Sequence, residues 1–222
     1  MGEVMGHAGM AATVVRYLRT VGAPTAAEPY DALPRPDLRA VGADERPPVD
    51  PAAFRSVLGH FASGVTVITA PPAAHPDEAT DQVTDQVTDH TGPAGFACQS
   101  FASLSLDPPL VTFMVARTST TWPRIARAGV FCVNILGADQ GDLCRAFAVS
   151  GADKFAGVGH EPAPVTGSPL LDSVPAWIDC RVQAVHTGGD HLIVVGRVEA
   201  LGGTDDGEPL LFHRGRFGRF SA

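Results

Sequence analysis

The sequence has little of what builds disulfide frameworks, metal sites or membrane spans. Its 222 residues include only 4 cysteines, and these have no CxxC spacing. The 8 histidines form no pair at helical spacing with a carboxylate between them, so no metal site is predicted. No apolar run of about 18 residues occurs, so we expect no membrane-spanning helix. The cysteines are Cys98, Cys132, Cys144 and Cys180.

The sequence also lacks a secretion signal and a basic surface. The first residues, MGEVMGHAGMAATVVRYLRT, have no basic start followed by a long apolar stretch, so no signal peptide is indicated. No basic stripe is present, so we expect no nucleic-acid partner. Scattered cysteines in apolar surroundings are typical of reduced thiols. These features favour a cytoplasmic location.

Familiar catalytic patterns are missing as well. No Gly-rich loop precedes a long helix, which excludes a Rossmann fingerprint and a P-loop. There is no GxSxG elbow, and no pair of acids stands out for acid–base work. If the protein is an enzyme, its chemistry therefore resides in a cofactor that the chain positions.

Two segments do not have the pattern of packed domain material. Residues 1–50 are rich in Pro, Ala and charge without a sustained period, and we interpret them as a flexible N-terminal extension. Residues 71–93 hold five acids and no Lys or Arg, within a net charge of −8, and include the repeat ATDQ-VTDQ-VTDH. We interpret 71–93 as an acidic low-complexity loop insertion in an ordered domain over 51–222.

The remaining sequence is dominated by strand patterns. Asp50 followed by Pro51 predicts a helix start, with apolar residues at helical spacing at Phe54, Val57, Leu58 and Phe61. Short helices are predicted over 119–129, closed by Gly129, and over 138–151, with Leu143, Phe147 and Cys144 inward. The predicted strands are 65–70, 96–105, 109–116, 130–136, 177–189, 190–203 and 208–220, and a Gly-Gly-Asp turn joins the pair 177–189 and 190–203. This pattern indicates a mainly β barrel.

Six segments, in this order, closely resemble one family: GVTVIT, GFACQSFASLSLDPPLVTF, ARTSTTWPRI, GVFCVNIL, DKFAG and GGDHLIVVGRV. They are similar to the flavin reductase-like family with the FMN-binding split-barrel fold, specifically to the small reductase components of two-component flavin-dependent monooxygenases. The resemblance runs from about Phe54 to Phe220. It implies a mainly β fold: a six-stranded antiparallel split β-barrel (Greek key) with a few short flanking helices.

The resemblance implies that the run of small hydroxyl residues is a cradle along one edge of the flavin. Small side chains permit close approach, and hydroxyls pair with the polar atoms of the ring. The implied contacts are Cys98, Gln99, Ser100, Ser103, Leu104 and Ser105. The alternative is a small-residue strand packed under a neighbour. Ala97, Ala102 and Gln99 depart from the family pattern, which leaves the choice between FMN and FAD open.

Further residues follow from the same resemblance. Arg117, Ser119, Thr120 and Thr121 would bind the flavin phosphate. Phe155 would lie near the flavin, with a plain core aromatic as the alternative, and Phe217 would stack on the adenine or flavin side. Arg214, Arg216 and Arg219 would bind dinucleotide phosphates or belong to a solvated tail. Lys154 is expected at the surface or in a salt bridge.

His191 is the catalytic candidate. It resembles a family histidine that faces the nicotinamide, where it would position NAD(P)H or deliver a proton near the flavin. A surface histidine after a hairpin turn is the alternative.

The implied activity is that of an NAD(P)H:flavin oxidoreductase, with FMN or FAD as cofactor and NADH or NADPH as co-substrate. The resemblance also implies a homodimer and a separate flavin-dependent oxygenase that receives the reduced flavin by diffusion. Two alternatives stay open. One is a non-catalytic split-barrel flavin-binding or electron-transfer protein. The other is an interaction module that uses the N-terminal extension and the acidic loop.

Overall fold

The computed structural model describes residues 49–72, 92–151, 153–205 and 207–220. The predicted N-terminal extension and acidic insertion lie almost entirely outside these residues, and their boundaries stay predictions. None of the helices in the described ranges is long and apolar enough to cross a membrane.

The described ranges contain short helices and many strands, which confirms a mainly β protein. The helices are α1 Pro51–Leu58, α2 Trp122–Ala128 and α3 Gly141–Ala148. The strands are β1 Ser63–Gly64, β2 Thr66–Ala70, β3 Ala94–Cys98, β4 Ala102–Leu106, β5 Pro109–Ala116, β6 Val130–Ile135, β7 His160–Pro162, β8 Pro169–Leu171, β9 Ala176–Gly188, β10 His191–Gly203, β11 Leu211–His213 and β12 Arg216–Gly218.

The main sheet has seven strands in the order β3-β2-β6-β9-β10-β5-β4, and its ladders are antiparallel. Within the described residues no ladder joins the two ends, β3 and β4, so the sheet is open. Two small sheets accompany it, one of β1, β11 and β12 and one of β7 and β8.

The helix boundaries follow local signals in the sequence, as predicted. The Asp50 carboxylate accepts a hydrogen bond from the Ala53 N–H at 2.8 Å and caps α1. The Ser119 hydroxyl accepts one from the Trp122 N–H at 3.2 Å at the start of α2, and Gly129 ends α2 with φ 67°. Cys144 and Phe147 of α3 are buried, also as predicted.

Two strand predictions are wrong in their extent. The predicted strand 96–105 is two strands, β3 and β4, because the chain leaves one end of the sheet at Cys98 and enters the other end at Ala102. The predicted strand 208–220 is the hairpin β11–β12, which turns at Arg214 (φ 49°) and Gly215 (φ 80°). An Arg in the left-handed region is uncommon, so the turn had no sequence signal.

The described residues contain three clusters of buried side chains, two large ones and a small third one of Cys132, Ala163 and Leu170. Phe113 of β5 lies at the centre of the first and meets three aromatic rings edge-on: Phe131 at 5.2 Å, Phe96 at 6.0 Å and Trp122 at 6.1 Å. The second packs α3 against the sheet through Val65, Val67, Leu136, Cys144, Phe147, Leu171 and Leu210. The sheet thus curls around Phe113 while α3 covers one part of it.

A buried side-chain amide ties three strands together. Asn134 of β6 is fully buried, and its Nδ2 donates to the Val67 carbonyl at 3.2 Å and to the Thr69 hydroxyl at 3.0 Å. Its Oδ1 accepts from the Leu171 N–H of β8 at 2.8 Å. Removing this amide would leave buried main-chain groups without partners, which is costly.

We therefore predict that Asn134→Ala lowers the free energy of unfolding by about 2 kcal/mol or more. Asn134→Asp should act in the same direction, because a buried carboxylate would face the acceptors that Nδ2 now serves. Urea denaturation measures both variants, with Gln183→Ala, an exposed position of β9, as the control. An Asn134→Ala variant within about 0.5 kcal/mol of the wild type would contradict the assigned role.

Candidate functional site

Strand β5 holds four of the predicted site residues along its length. From its start to its end, the predicted residues held against β5 are Ser105, Ser103, Ser100 and His191. At about 3.3 Å per residue, the strand from Leu110 to Ala116 spans about 20 Å. The sheet therefore brings together residues that are far apart in sequence.

The two faces of β5 differ: one is buried in the Phe113 core and the other points away from it. Residues directly opposite in antiparallel strands share a face, and faces alternate along each strand. The residues 110, 112, 114 and 116 point away from the Phe113 core and are joined on that face by Ser105, Ala102 and His191. We call this set the β5 outer face. It carries small side chains at Ala102 and Ala116 and large apolar ones at Leu110 and Met114, of which Met114 is 41% exposed.

A bulge in β4 places Ser105 on this face. Ser103 pairs with Val111 and Ser105 pairs with Leu110, so Leu104 has no partner in the β4–β5 register. Because side chains alternate with period two, the extra residue returns Ser105 to the side of Ala102. Leu104 is 52% exposed. The main-chain groups of Leu104 lie outside the β4–β5 register.

Ser100 closes the gap between the ends of the sheet. Its hydroxyl donates to the Met114 carbonyl at 2.9 Å and accepts from the Met114 N–H at 3.0 Å. The β4–β5 ladder ends at Ala102 and Thr112, so the hydroxyl takes the place of the next strand residue. Ser100 is thus engaged with the main chain of β5, a structural role that the sequence did not indicate.

Cys98 and Gln99, before Ser100, differ in their surroundings. Cys98 is buried in the first core cluster, and burial raises the pKa of its thiol. Its carbonyl accepts a hydrogen bond from the Thr66 hydroxyl at 2.9 Å. Gln99 is exposed in the connection between β3 and β4. Of the two side chains, only that of Gln99 is accessible to a ligand.

The predicted phosphate residues follow the end of β5. Arg117 is exposed, and its N–H donates to the Asp190 carbonyl at 3.0 Å. The Ser119 N–H donates to the Ala116 carbonyl at 2.9 Å, and its hydroxyl oxygen accepts from α2. A serine hydroxyl that accepts one bond can still donate its own proton. Thr120 is exposed, and Thr121 precedes the helix without a side-chain capping bond.

His191 lies at the first position of β10, with Ala116 opposite it on β5 and Gly188 opposite it on β9. Its side chain is 46% exposed, and its Nδ1 lies 2.8 Å from the Asp190 Oδ1. The hydrogen bond from His191 lowers the pKa of Asp190 below its ordinary value. Ala116 and Gly188 had no predicted role, because only the strand register makes them neighbours of His191. Asp190 had none either, because its place next to His191 in the sequence does not show that its carboxylate contacts the ring.

The two predicted aromatic residues lie in the second core cluster rather than along β5. Phe155 packs edge-on against Phe147 at 5.1 Å, and Phe217 packs edge-on against Phe212 at 5.6 Å. The Arg145 guanidinium lies 5.1 Å from the centre of the Phe217 ring. This is the packing of core aromatics, and the roles of Phe155 and Phe217 toward the flavin stay predictions.

Lys154 is not the surface or salt-bridge residue that was expected. Its Nζ donates to the carbonyls of Gly95 and Phe147, each at 3.1 Å, and ties the loop before Phe155 to β3 and α3. Partial burial, with Arg124 nearby, lowers the pKa of Lys154. Its role is structural.

A separate cleft of about 500 Å³ lies near the start of α3. It is lined by Arg219, and none of the predicted flavin residues lines it. Its other lining residues are Gly137, Ala138, Asp139, Ser173, Val174, Pro175, Thr204, Gly207 and Glu208.

Comparison with known proteins identifies the family. The model of the flavin reductase like domain matches residues 58–221. The chain is 44% identical over 169 residues to the reductase subunit HsaB of a flavin-dependent monooxygenase from Rhodococcus jostii (strain RHA1), covering 76% of this chain and 77% of that protein.

Two solved structures match as well. Nitrilotriacetate monooxygenase component B from Mycobacterium thermoresistibile is 42% identical with a TM-score of 0.66, covering 77% of this chain and 86% of that one. The NADH:FAD oxidoreductase SgcE6 of Streptomyces globisporus C-1027, in complex with NAD and FAD fragments, is 31% identical with a TM-score of 0.68, covering 81% and 98%.

The mainly β fold and these matches define the class of protein as that of the flavin reductases. The chain belongs to the flavin reductase-like family.

The engagement of Ser100 predicts a stability effect that needs no ligand. In the flavin-free protein, Ser100→Ala should lower the free energy of unfolding by about 1 kcal/mol, because the Met114 N–H and carbonyl lose their partner. Ser103→Ala, a neighbouring exposed serine, should change it by less than about 0.5 kcal/mol. Chemical denaturation of both variants measures the difference. Equal effects of the two substitutions would refute the structural role of Ser100.

Proposed function

We propose that this chain is an NAD(P)H:flavin oxidoreductase that reduces FMN or FAD and releases the reduced flavin to a separate flavin-dependent oxygenase. The observation that carries the proposal is the placement of Ser105, Leu104 and His191 beside β5, with residues 117–121 directly after that strand. The chain that carries them belongs to the flavin reductase-like family. No other part of the described structure collects so many of the residues that the family resemblance singles out.

The β5 outer face fits the ring of a flavin. Its side chains are small at Ala102 and Thr112, which lie opposite each other on β4 and β5, so a planar ring can approach the main chain there, beside the exposed Met114. Leu104, outside the ladder, offers main-chain groups to the ring's N–H and C=O, and Ser105 offers a hydroxyl. A bound flavin supplies the acceptor of two electrons, which no side chain of the protein supplies. The chain contributes position and hydrogen bonds.

The residues after β5 fit the phosphate end of the cofactor. Arg117 supplies a positive charge and Ser119, Thr120 and Thr121 supply hydroxyls, the groups that bind phosphate oxygens. They follow the strand directly, so one cofactor can contact the β5 outer face and these residues together. The proposal treats these surfaces as one extended site. It also includes the six-stranded split barrel that the family resemblance implies, with six of the seven strands of the main sheet as its strands.

His191 acts on the nicotinamide side. It lies at the end of the β5 outer face and is accessible. Hydride transfer between two stacked rings needs contact distance and alignment rather than a general base. His191 therefore positions the nicotinamide of NADH or NADPH. SgcE6, which was solved with NAD and FAD fragments, supports a nicotinamide dinucleotide as the co-substrate, and HsaB, a monooxygenase reductase subunit, supports the oxygenase partner.

The proposal also includes a homodimer. Helix α1 and the residues after it expose an apolar surface: Phe54 is 55% exposed, Val57 69%, Leu58 55% and Phe61 81%. Apolar side chains at helical spacing that face solvent in a single chain are typical of a surface that another chain covers. A second copy of this chain is the partner that we propose.

Kinetics test the activity. NADH oxidation, followed by the loss of its absorbance, should require added FMN or FAD. His191→Ala should raise the KM for NADH about tenfold, the size expected for one lost hydrogen bond, and leave flavin affinity unchanged. His186→Ala is the matched control, because His186 is an exposed histidine of β9 near the same turn. Absence of oxidation with either flavin would refute the reductase assignment, and tightly retained flavin would then favour an electron carrier.

Light scattering coupled to size exclusion tests the homodimer. The wild type should have the mass of two chains, and Phe61→Glu should shift it toward one chain because a charge would be buried in the apolar interface. Val149→Glu, at an exposed apolar position after α3, should leave the mass unchanged. A monomeric wild type would refute the dimer, and a dimeric Phe61→Glu variant would refute this interface.

A further inference from the structure

The turn that carries His191 holds Asp190 in a fixed place. Gly188 and His191 form the last pair of the β9–β10 ladder, so the loop has two residues, Gly189 and Asp190. Gly189 has φ 69°, the left-handed conformation that such a loop favours for glycine at its first position. The Asp190 carbonyl accepts the Arg117 N–H at 3.0 Å, which fastens the turn to the end of β5. The main chain of Asp190 is therefore constrained from both sides.

The Asp190 carboxylate contacts one of the two ring nitrogens of His191. The Asp190 Oδ1 lies 2.8 Å from the His191 Nδ1. An ionised carboxylate only accepts hydrogen bonds, so the proton of a neutral imidazole paired with it resides on Nδ1. The other ring nitrogen, Nε2, is then a hydrogen-bond acceptor. This is the tautomer that a neighbouring carboxylate selects, in the same way that it orients histidines in metal sites and catalytic triads.

The positions beside the imidazole are occupied by the smallest residues. The cross-strand partners of His191 are Gly188 on β9 and Ala116 on β5, and directly opposite residues lie on one face of the sheet. Neither carries a side chain long enough to cover the ring. The charged or titratable groups on the adjoining strands are Arg117, after Ala116, and His186, opposite Ile193. The Ile193 side chain lies over Gly188 on the β9 side, so the space beside the half-exposed imidazole is that above Ala116 on the β5 side.

We propose that Asp190 is a positioning residue of the reductase: it holds His191 with the proton on Nδ1, so that Nε2 accepts a hydrogen bond from the carboxamide N–H of the nicotinamide. This inference rests on the proposed function. It states that one hydrogen bond, to His191 Nε2, orients the dihydronicotinamide ring. In this role His191 gains and loses no proton. Oxidation of the dihydronicotinamide removes one hydride, which carries two electrons. The flavin accepts that hydride, so electrons and atoms balance without a further reactant.

Two measurements on the full-length protein test the proposal. The first is the ¹⁵N chemical-shift pattern of the His191 ring under conditions where the ring is neutral, assigned by comparison with His191→Ala. We expect an Nδ1–H signature in the wild type and a shift toward Nε2–H in Asp190→Asn. The second is steady-state kinetics, in which Asp190→Asn should raise the KM for NADH about tenfold. Its kcat at saturating NADH, flavin affinity and denaturation midpoint should stay near those of the wild type.

Asp142→Asn is the matched control, because it also removes an exposed, hydrogen-bonded carboxylate, the one that Arg145 contacts on α3. It should change neither the His191 spectrum nor the KM for NADH. An Nε2–H signature in the wild type would overturn the proposal, and so would an Asp190→Asn variant with unchanged KM. A wild type that does not oxidise NADH would instead refute the proposed reductase function, and the proposal with it, even if the spectrum shows the Nδ1–H tautomer.

Discussion

The curl of the main sheet depends on the contact between the Ser100 hydroxyl and the main chain of Met114. The ends of the sheet, β3 and β4, are only three residues apart in the chain yet belong to opposite edges. A hydroxyl that both donates to and accepts from one residue substitutes for a missing ladder pair. It holds β3 against β5, and this is the geometry in which Phe113 meets its three aromatic neighbours.

The same strand serves the core and the site because its faces alternate. Phe113 and Val115 point inward and are buried, whereas Met114 and Ala116 belong to the β5 outer face. A shift of one residue in the register would exchange the two faces and destroy both. The bulge at Leu104 makes one such local shift on β4, and it moves Ser105 to the outer face without disturbing β5. The register of β5 with its neighbouring strands therefore determines both the packing of the core and the positions of the residues on the β5 outer face.

Local structure could be predicted from the sequence where its cause lies within a few residues. The cap at Asp50, the stop at Gly129 and the Gly-Gly-Asp turn are decided within a few residues, and each was predicted. The break in the predicted strand 96–105 was not, because the partner of Ser100 lies 14 residues away. Family resemblance supplied the candidates along β5. The core packing of Phe155 was the stated alternative, whereas that of Phe217 was not predicted. Such facts depend on tertiary packing, which no local pattern encodes.

The proposed chemistry explains why so little of the site is reactive. The thiol of Cys98 is buried with a raised pKa, Lys154 is tied to carbonyls, and neither is placed to act as a base. A hydride passes between two bound rings, so the protein needs space, alignment and the exclusion of water rather than a nucleophile. The small side chains of Ala102 and Thr112 on the β5 outer face provide the space. Since His191 is 46% exposed in the single chain, exclusion of water requires a cover, and the proposed second subunit would supply it if it extends over this face.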